Sequence, residues 1–333
     1  MSEIKTLLIR NYFIYKNNRP SYHCCIILKG VWHMNQKKAL IFNIQKFSIH
    51  DGPGIRTTVF FKGCPLRCHW CSNPESQIGK IQVAWDSSKC ISCQKCVKGC
   101  PEGALSEAKG RIVIDGERCK GWQECLKGCP TDSFQIEGEY KTVDKIVSEV
   151  LKDIAFYEES GGGVTLTGGE VLQQADVAIE ILKELKKHNI HRAVETTGYA
   201  ATKVFEKFLE HIDLLLFDLK HYDPVKHKEG TGVDNMIILE NMKAAVKKGK
   251  KIVARIPVIP NFNDSLQDAE GFSKCLNEIG IKNVDLLPFH QFGQKKYDLL
   301  CMEYKMKDVK QLHPEDLMDY QEVFIRNGLN CKF

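Results

Sequence analysis

Ten of the 15 cysteines in this 333-residue chain fall between Cys64 and Cys129, and that crowding constrains its fold more than any other feature. In a short secreted chain such density would mean disulfides. In a long chain without an export signal, clustered cysteine more often means metal. The N-terminus lacks the charged, apolar and small-residue succession of a signal peptide, and no apolar run approaches the roughly 20 residues that span a bilayer. A cytoplasmic protein with no membrane association is expected, with loops built around metal.

Composition narrows the class further. Hydrophobic residues make up 43% and charged residues 27% of the chain, and the formal net charge is +5. These proportions suit a soluble globular protein. The basic excess is mild and dispersed, so no nucleic-acid partner is expected.

Residues 1–38 differ from the rest of the chain. They are weakly patterned, and Met34 offers an alternative start, so an extension without function is expected there; Cys24 and Cys25 are assigned nothing. From Ala39 the pattern becomes regular. Ala39–Ile44 and Thr57–Phe61 read as strands on either side of Asp51-Gly-Pro-Gly54, whose glycines and proline suit a tight turn. Residues 86–140 form a cysteine-dense insert of short strands and turns.

After the insert, strands and helices alternate. Strands are expected at Val164–Thr167, Arg192–Glu195, Leu214–Leu219, Ile252–Ile256 and Val284–Leu287. Helices are expected at Val171–His188, Lys203–Glu210, Asn235–Lys248, Asp268–Ile279 and Pro314–Arg326. This order argues for an α/β fold of parallel strands with crossover helices, either a barrel or an open sheet. In both, functional groups gather at the carboxyl ends of the strands. The segments 39–85 and 141–333 would form that body, interrupted by the insert at 86–140.

The run Cys64-Pro-Leu-Arg-Cys68-His-Trp-Cys71 has the spacing CxxxCxxC. Three thiolates on one loop can hold three irons of a 4Fe–4S cube and leave the fourth open to a small molecule, as an open zinc position marks catalysis. A zinc site or three incidental thiols are the plain alternatives, but three cysteines are an incomplete set for structural zinc. Elsewhere, Thr167-Gly-Gly-Glu170 joins a strand to a helix, where glycines allow close backbone approach to a ligand. Strand geometry puts Asp218 and Lys220 on one face, as either a surface salt bridge or a pair aimed into the mouth of the fold.

Asp51-Gly-Pro-Gly-Ile-Arg-Thr57, Phe60-Phe-Lys-Gly-Cys64 and the CxxxCxxC loop resemble the radical S-adenosylmethionine (SAM) superfamily. More narrowly, they are similar to the activating enzymes of glycyl radical enzymes, over nearly the whole chain from Ala39. The resemblance implies a partial (β/α)6 barrel of TIM type with an inserted ferredoxin-like iron–sulfur domain. It implies a 4Fe–4S cluster on Cys64, Cys68 and Cys71, and SAM as cofactor. Gly168, Gly169 and Glu170 would meet the amino group of its methionine part, although Val171 stands where the family often has Pro. Lys220 would meet the carboxylate while Asp218 orders the site. His290 and the neighbours Trp70 and Ser72 would contact the cofactor, and Arg255, expected to end a strand inside the cavity, would steady the leaving methionine. Glu195 and Thr196, with Asp218, would form a monovalent-cation site.

The insert opens with Cys90-x2-Cys93-x2-Cys96-x3-Cys100-Pro, the spacing of two-cluster ferredoxins. The second set, Cys119-x2-Trp122-x2-Cys125-x3-Cys129-Pro, departs from it: Trp122 stands where a ligand is due, and an indole only donates hydrogen bonds. Crossed pairing gives one complete cluster on Cys90, Cys93, Cys96 and Cys129. Cys100, Cys119 and Cys125 are left one ligand short, for a three-ligand, labile or absent cluster. Cys275, Cys301 and Cys331 read as small buried hydrophobes.

The resemblance implies that reductive cleavage of SAM yields a 5′-deoxyadenosyl radical, which takes hydrogen from a glycine of a partner glycyl radical enzyme. That partner is pyruvate formate-lyase-like, or a lyase or dehydratase of diols, choline or hydroxyproline, and flavodoxin or ferredoxin is the electron donor. One rival is a radical SAM enzyme acting on a small molecule or RNA. The segment Phe289-His-Gln-Phe-Gly-x-x-Lys-Tyr297 favours the activators over it. The other rival, a ferredoxin-type electron carrier, leaves CxxxCxxC and the long α/β portion unexplained.

Overall fold

The structure is a computed structural model that describes residues 37–121 and 124–333. Cys24, Cys25, Met34 and Trp122 therefore lie outside the described residues. Residues 38–333 form one compact unit.

The chain enters through β1 (Lys38–Ser48) and β2 (Arg56–Phe61), which pair antiparallel. The turn between them is built in, not merely tight. Gly54 sits at φ +68°, and a Cβ there would fall 2.5 Å from the Gly162 backbone nitrogen. Arg56 is fully buried, its guanidinium donating to Thr165 Oγ1 and to the Val164 carbonyl at 2.7 Å each. The Asp51-to-Thr57 motif thus fastens the start of β2 to the neighbouring strand.

The insert comes next: β3 (Gln82–Trp85), α1 (Lys95–Gly99), β4 (Leu105–Ala108), β5 (Arg111–Ile114), α2 (Glu124–Gly128) and β6 (Phe134–Glu137). It is strand–helix–strand twice over, with β3 paired to β6 and β4 to β5. Val83, Trp85, Leu105, Ile112 and Phe134 make its small core, together with Cys96 and Cys125. Its first strand begins at Gln82, before the expected boundary at 86. β7 (Glu139–Thr142) already belongs to the main sheet, through β1.

The remainder alternates as expected: α3 (Val143–Val150), α4 (Ile154–Ser160), β8 (Gly163–Gly168), α5 (Ala175–Lys187), β9 (His191–Thr196), α6 (Thr202–Leu209), β10 (Leu214–Asp218), α7 (Pro224–Thr231), α8 (Met236–Lys247), β11 (Lys251–Val258), α9 (Leu266–Ile279), β12 (Asn283–Pro288), α10 (Gln294–Leu299), α11 (Met318–Arg326) and β13 (Asn330–Lys332). Among the described residues the main sheet has nine strands in the order β13-β12-β11-β10-β9-β8-β2-β1-β7. From β2 through β8–β12 to β13 neighbouring strands run parallel. This is an α/β fold on a mostly parallel sheet.

Periodicity explains the layers. The interior strand β10 is apolar from Leu214 to Phe217, as a parallel strand covered on both faces requires. In α5, Ala178, Ile181, Leu182 and Leu185 repeat at helical spacing and are fully buried against the sheet. Ser265 caps α9 by accepting from the Asp268 N–H at 3.1 Å. The helices expected at 171–188 and 314–326 each open with a 3-10 turn, Val171–Gln174 and Pro314–Leu317. Among the described residues, no helix is long and apolar enough to cross a membrane.

Candidate active site

The cysteine loop begins three residues after the carboxyl end of β2 and is held from several sides. Gly63 N–H donates to Ser76 O at 2.7 Å and Cys64 N–H to Gln77 O at 3.2 Å. Arg67 N–H and His69 N–H donate to the carbonyls of Thr231 and Gly230 at the end of α7, at 2.6 and 3.1 Å. Trp70 packs on Phe262 with ring centroids 4.8 Å apart. Cys64, Cys68 and Cys71 all line one cavity of about 230 Å³. Burial pushes the Cys64 thiol up to about 12 and raises Cys68 and Cys71 as well. Thiols so placed become ligands only by losing their protons to a metal.

The GGE turn is sewn directly to this loop. Gly169 N–H donates to Phe61 O and Glu170 N–H to Gly63 O, each at 2.8 Å. No side chain fits between them: a Cβ on Gly169 would lie 2.4 Å from Gly63 O, and Gly168 sits at φ +119°. Gly168 and Gly169 line the cavity, whereas Glu170 does not. Its fully buried carboxylate accepts from Thr196 Oγ1 at 2.6 Å and Leu172 N–H at 3.1 Å. It also takes the N–H and Oγ1 of Thr197, at 2.9 and 2.6 Å. Here Glu170 shapes the wall by anchoring the end of β9.

Across the cavity, Lys220 Nζ stands 2.9 Å from Asp218 Oδ2, and both residues line it. Burial alone would lower the Lys220 pKa, but the Asp218 carboxylate more than offsets that and raises it. This ammonium stays charged. Glu195, Thr196, Trp70, Ser72 and His290 are also on the lining, His290 stacked on Phe292 at 4.3 Å.

Arg255 departs from expectation. It lies in the middle of β11, not at its end, and is not among the cavity-lining residues. Its guanidinium pairs with Glu195 Oε1 at 2.6 Å and donates to the His50 carbonyl. Thr167 Oγ1 holds the other Glu195 oxygen at 2.5 Å. Arg255 therefore faces the site through Glu195.

The three thiols, the Lys220 ammonium and the bare glycine backbone match an iron–sulfur cube and an amino-acid-bearing ligand in chemistry. Among the described residues, no three His, Cys, Asp or Glu side chains converge on a single ion. A cube asks for no such convergence, since it takes one thiolate per iron. The family model of the radical SAM superfamily matches residues 58–270, from within β2 into α9. The chain belongs to the radical SAM superfamily.

Curated relatives place it more narrowly. It is 42% identical to the choline trimethylamine-lyase activating enzyme of Oleidesulfovibrio alaskensis, over 85% of this chain and 94% of that protein. It is 43% identical to the trans-4-hydroxy-L-proline dehydratase activating enzyme of Clostridioides difficile, over 88% and 98%. Within the radical SAM superfamily the chain belongs with the activating enzymes of glycyl radical enzymes. Among solved structures, a domain of a pyruvate-formate lyase-activating enzyme from Bacteroides vulgatus matches with a TM-score of 0.43 and 27% identity, over 51% of this chain and 97% of that one.

In the insert of this radical SAM protein the cysteines sort into two neighbourhoods. Burial raises the Cys96 thiol, with Cys90 and Cys129 adding to the shift, and burial raises the Cys125 thiol, with Cys119 and Cys100 adding to it. Cys100, Cys119 and Cys125 line one small cavity. Backbone N–H groups already point at sulfur: Ser92 to Cys90, Ala104 to Cys100 and Ser133 to Cys129, at 3.3–3.4 Å. Of the remaining cysteines, Cys331 is buried and Cys275 half-buried, but Cys301 is exposed, contrary to expectation. It lies just past the short helix α10, whose surface position no apolar pattern announced.

Sequence reasoning also missed Thr197, Asn73 and Ser76 on the cavity wall. Thr197 had a signal, since it directly succeeds the Glu195-Thr196 pair. Asn73 and Ser76 belong to a loop without a chemical pattern.

Proposed function

We propose that this chain reductively cleaves SAM and directs the resulting radical to a glycine of a partner glycyl radical enzyme. The observation that carries this is the convergence of Cys64, Cys68 and Cys71 with Gly168, Gly169 and Lys220 on one cavity. A 4Fe–4S cluster held by Cys64, Cys68 and Cys71 would supply the one electron for reductive cleavage of a C–S bond of SAM, and the 5′-deoxyadenosyl group released would take the glycine hydrogen and leave as 5′-deoxyadenosine.

The protein's own groups bind and orient. Lys220, held charged by Asp218, meets the cofactor's carboxylate. The Gly168–Gly169 backbone accepts close approach of its amino group, and Glu170 keeps that turn in place through Thr196 and Thr197. Trp70, Ser72 and His290 close the nucleoside side and exclude water. Arg255 supports the wall by fixing Glu195, and a monovalent cation beside Glu195, Thr196 and Asp218 fits the local charge.

The parallel units β2 and β8–β12 form a partial (β/α)6 barrel, interrupted by a ferredoxin-like insert near 86–140. That insert carries one complete 4Fe–4S cluster on Cys90, Cys93, Cys96 and Cys129, and a three-ligand set on Cys100, Cys119 and Cys125. Flavodoxin or ferredoxin delivers the electron, in the cytoplasm. Near-equal identity to activators of a choline lyase and of a hydroxyproline dehydratase leaves both partner types in play.

Anaerobic incubation with reductant, SAM and purified choline trimethylamine-lyase, hydroxyproline dehydratase or pyruvate formate-lyase tests the assignment. A glycyl radical signal on one of them, matched by 5′-deoxyadenosine, is expected. Cleavage of SAM with no radical on any glycyl radical enzyme offered, including one encoded beside this gene, would move the protein to another radical SAM reaction.

A further inference from the structure

We propose that Lys296 and Tyr297, on the short helix α10, are positioning residues for the cluster loop. This inference rests on the function proposed above and adds two side chains from outside the cavity.

Three contacts join α10 to the segment just after the second CxxC cysteine. Tyr297, 4% exposed and packed on Tyr304 at 4.6 Å, donates its hydroxyl to the Cys71 carbonyl at 3.0 Å. Lys296 Nζ reaches Asn73 Oδ1 at 2.7 Å and Glu75 Oε1 at 2.6 Å. Gly293, just before the helix, lies so close to the loop that a Cβ there would stand 2.9 Å from the Ser72 Cα. Cys71, Ser72 and Asn73 all line the cavity, whereas Lys296 and Tyr297 do not.

Glu75 makes this arrangement more than a surface tether. Its side chain is 7% exposed, and Oε2 has no hydrogen-bond partner. The Lys296 ammonium is its ion-pair partner, and removing one member of a buried pair strands the other. Behind it, the buried Lys62 ammonium donates to the Glu75 carbonyl and to Gln82 Oε1, the latter at 2.9 Å in β3 of the insert. The chain just after α10 also touches the insert, where Cys301 Sγ donates to Ile112 O at 3.2 Å. The loop bearing Cys71 is therefore gripped between α10 and the insert. A shift of the Cys71 carbonyl moves the third thiol and the adjoining wall together, so these residues set cofactor binding while touching no reacting atom.

Tyr297→Phe and Lys296→Met, prepared anaerobically, test this. Both are expected to retain wild-type total iron content, counted in protein whose insert cysteines are intact. The KM for SAM should rise about tenfold in Tyr297→Phe, as loss of one hydrogen bond allows, with a smaller change in kcat. The change that SAM induces in the electron paramagnetic resonance of the reduced protein should be weakened in both. Wild-type KM and a wild-type SAM-induced change would overturn the inference. If Lys296→Met does not fold, Tyr297→Phe, which removes a single oxygen, decides alone. A wild-type protein that makes no 5′-deoxyadenosine would instead overturn the functional assignment.

Discussion

The Arg255 guanidinium holds Glu195 at 2.6 Å from outside the cavity that Glu195 lines. Burial opposes ionisation of that carboxyl, yet Arg255 keeps its pKa below the ordinary carboxylate value. Replacing Arg255 by Leu leaves the half-buried Glu195 carboxylate without its guanidinium partner, a loss of at most about 3 kcal/mol. Urea unfolding should show that loss, and Arg255→Leu combined with Glu195→Gln should recover part of it. Additive losses would mean that the pair is not coupled.

Gly169→Ala forces a Cβ to within 2.4 Å of the Gly63 carbonyl. Backbone lies on both sides, so the turn must open. A loss of about 1–3 kcal/mol is expected from such overpacking, along with weaker SAM binding measured by calorimetry. Unchanged stability and affinity would show that the turn does not approach the cofactor through its backbone.

How much of this was legible in the sequence depended on periodicity and spacing. Strands such as β10 and helices such as α5 carry continuous or helical apolar patterns, and their positions were readable to within a few residues. The helix α7, Pro-Val-Lys-His-Lys-Glu-Gly-Thr, has no apolar stripe; Asp223 caps it through the N–H groups of Val225 and Lys226, at 2.9 and 3.0 Å. Its start had as signals only that cap and Pro224 at the first helical position. The helix α3 does carry an apolar stripe, with Val143, Ile146, Val147 and Val150 buried at helical spacing. At the site, spacing singled out Cys64, Cys68 and Cys71, which the fold brings to one cavity. The parts played by Glu170 and Arg255 depend on which neighbour each meets across the sheet, which one chain's pattern does not encode.

His221 gives the protein an acid-sensitive point. It is fully buried, and its Nδ1 accepts the Asp223 N–H at 2.9 Å, which leaves the proton on Nε2, 3.5 Å from Asp268. Burial lowers its pKa to about 4, despite Asp268. A histidine whose folded pKa lies below its unfolded value of about 6.5 stabilises fully above that value and loses the contribution as pH falls. From pH 7 to pH 5, wild type should lose about 2 kcal/mol more than His221→Gln. Parallel stability profiles for the two proteins would contradict the assignment.

The insert can be probed apart from the site. With Cys64, Cys68 and Cys71 all changed to Ala, the anaerobic protein should keep about four irons in the Cys90/Cys93/Cys96/Cys129 set. Adding Trp122→Cys should raise the count toward about eight. Two complete cubes in the insert without that change would mean that the Cys100/Cys119/Cys125 set holds a cube on three thiolates or finds a fourth ligand elsewhere.

Cys68, the middle ligand of the loop, offers the most direct test of the whole account. Cys68→Ala, reduced anaerobically with SAM, is expected to form no 5′-deoxyadenosine above the protein-free blank while its insert iron is retained. Cleavage at the wild-type rate would contradict the assignment of the three-thiol loop as the place where SAM is split.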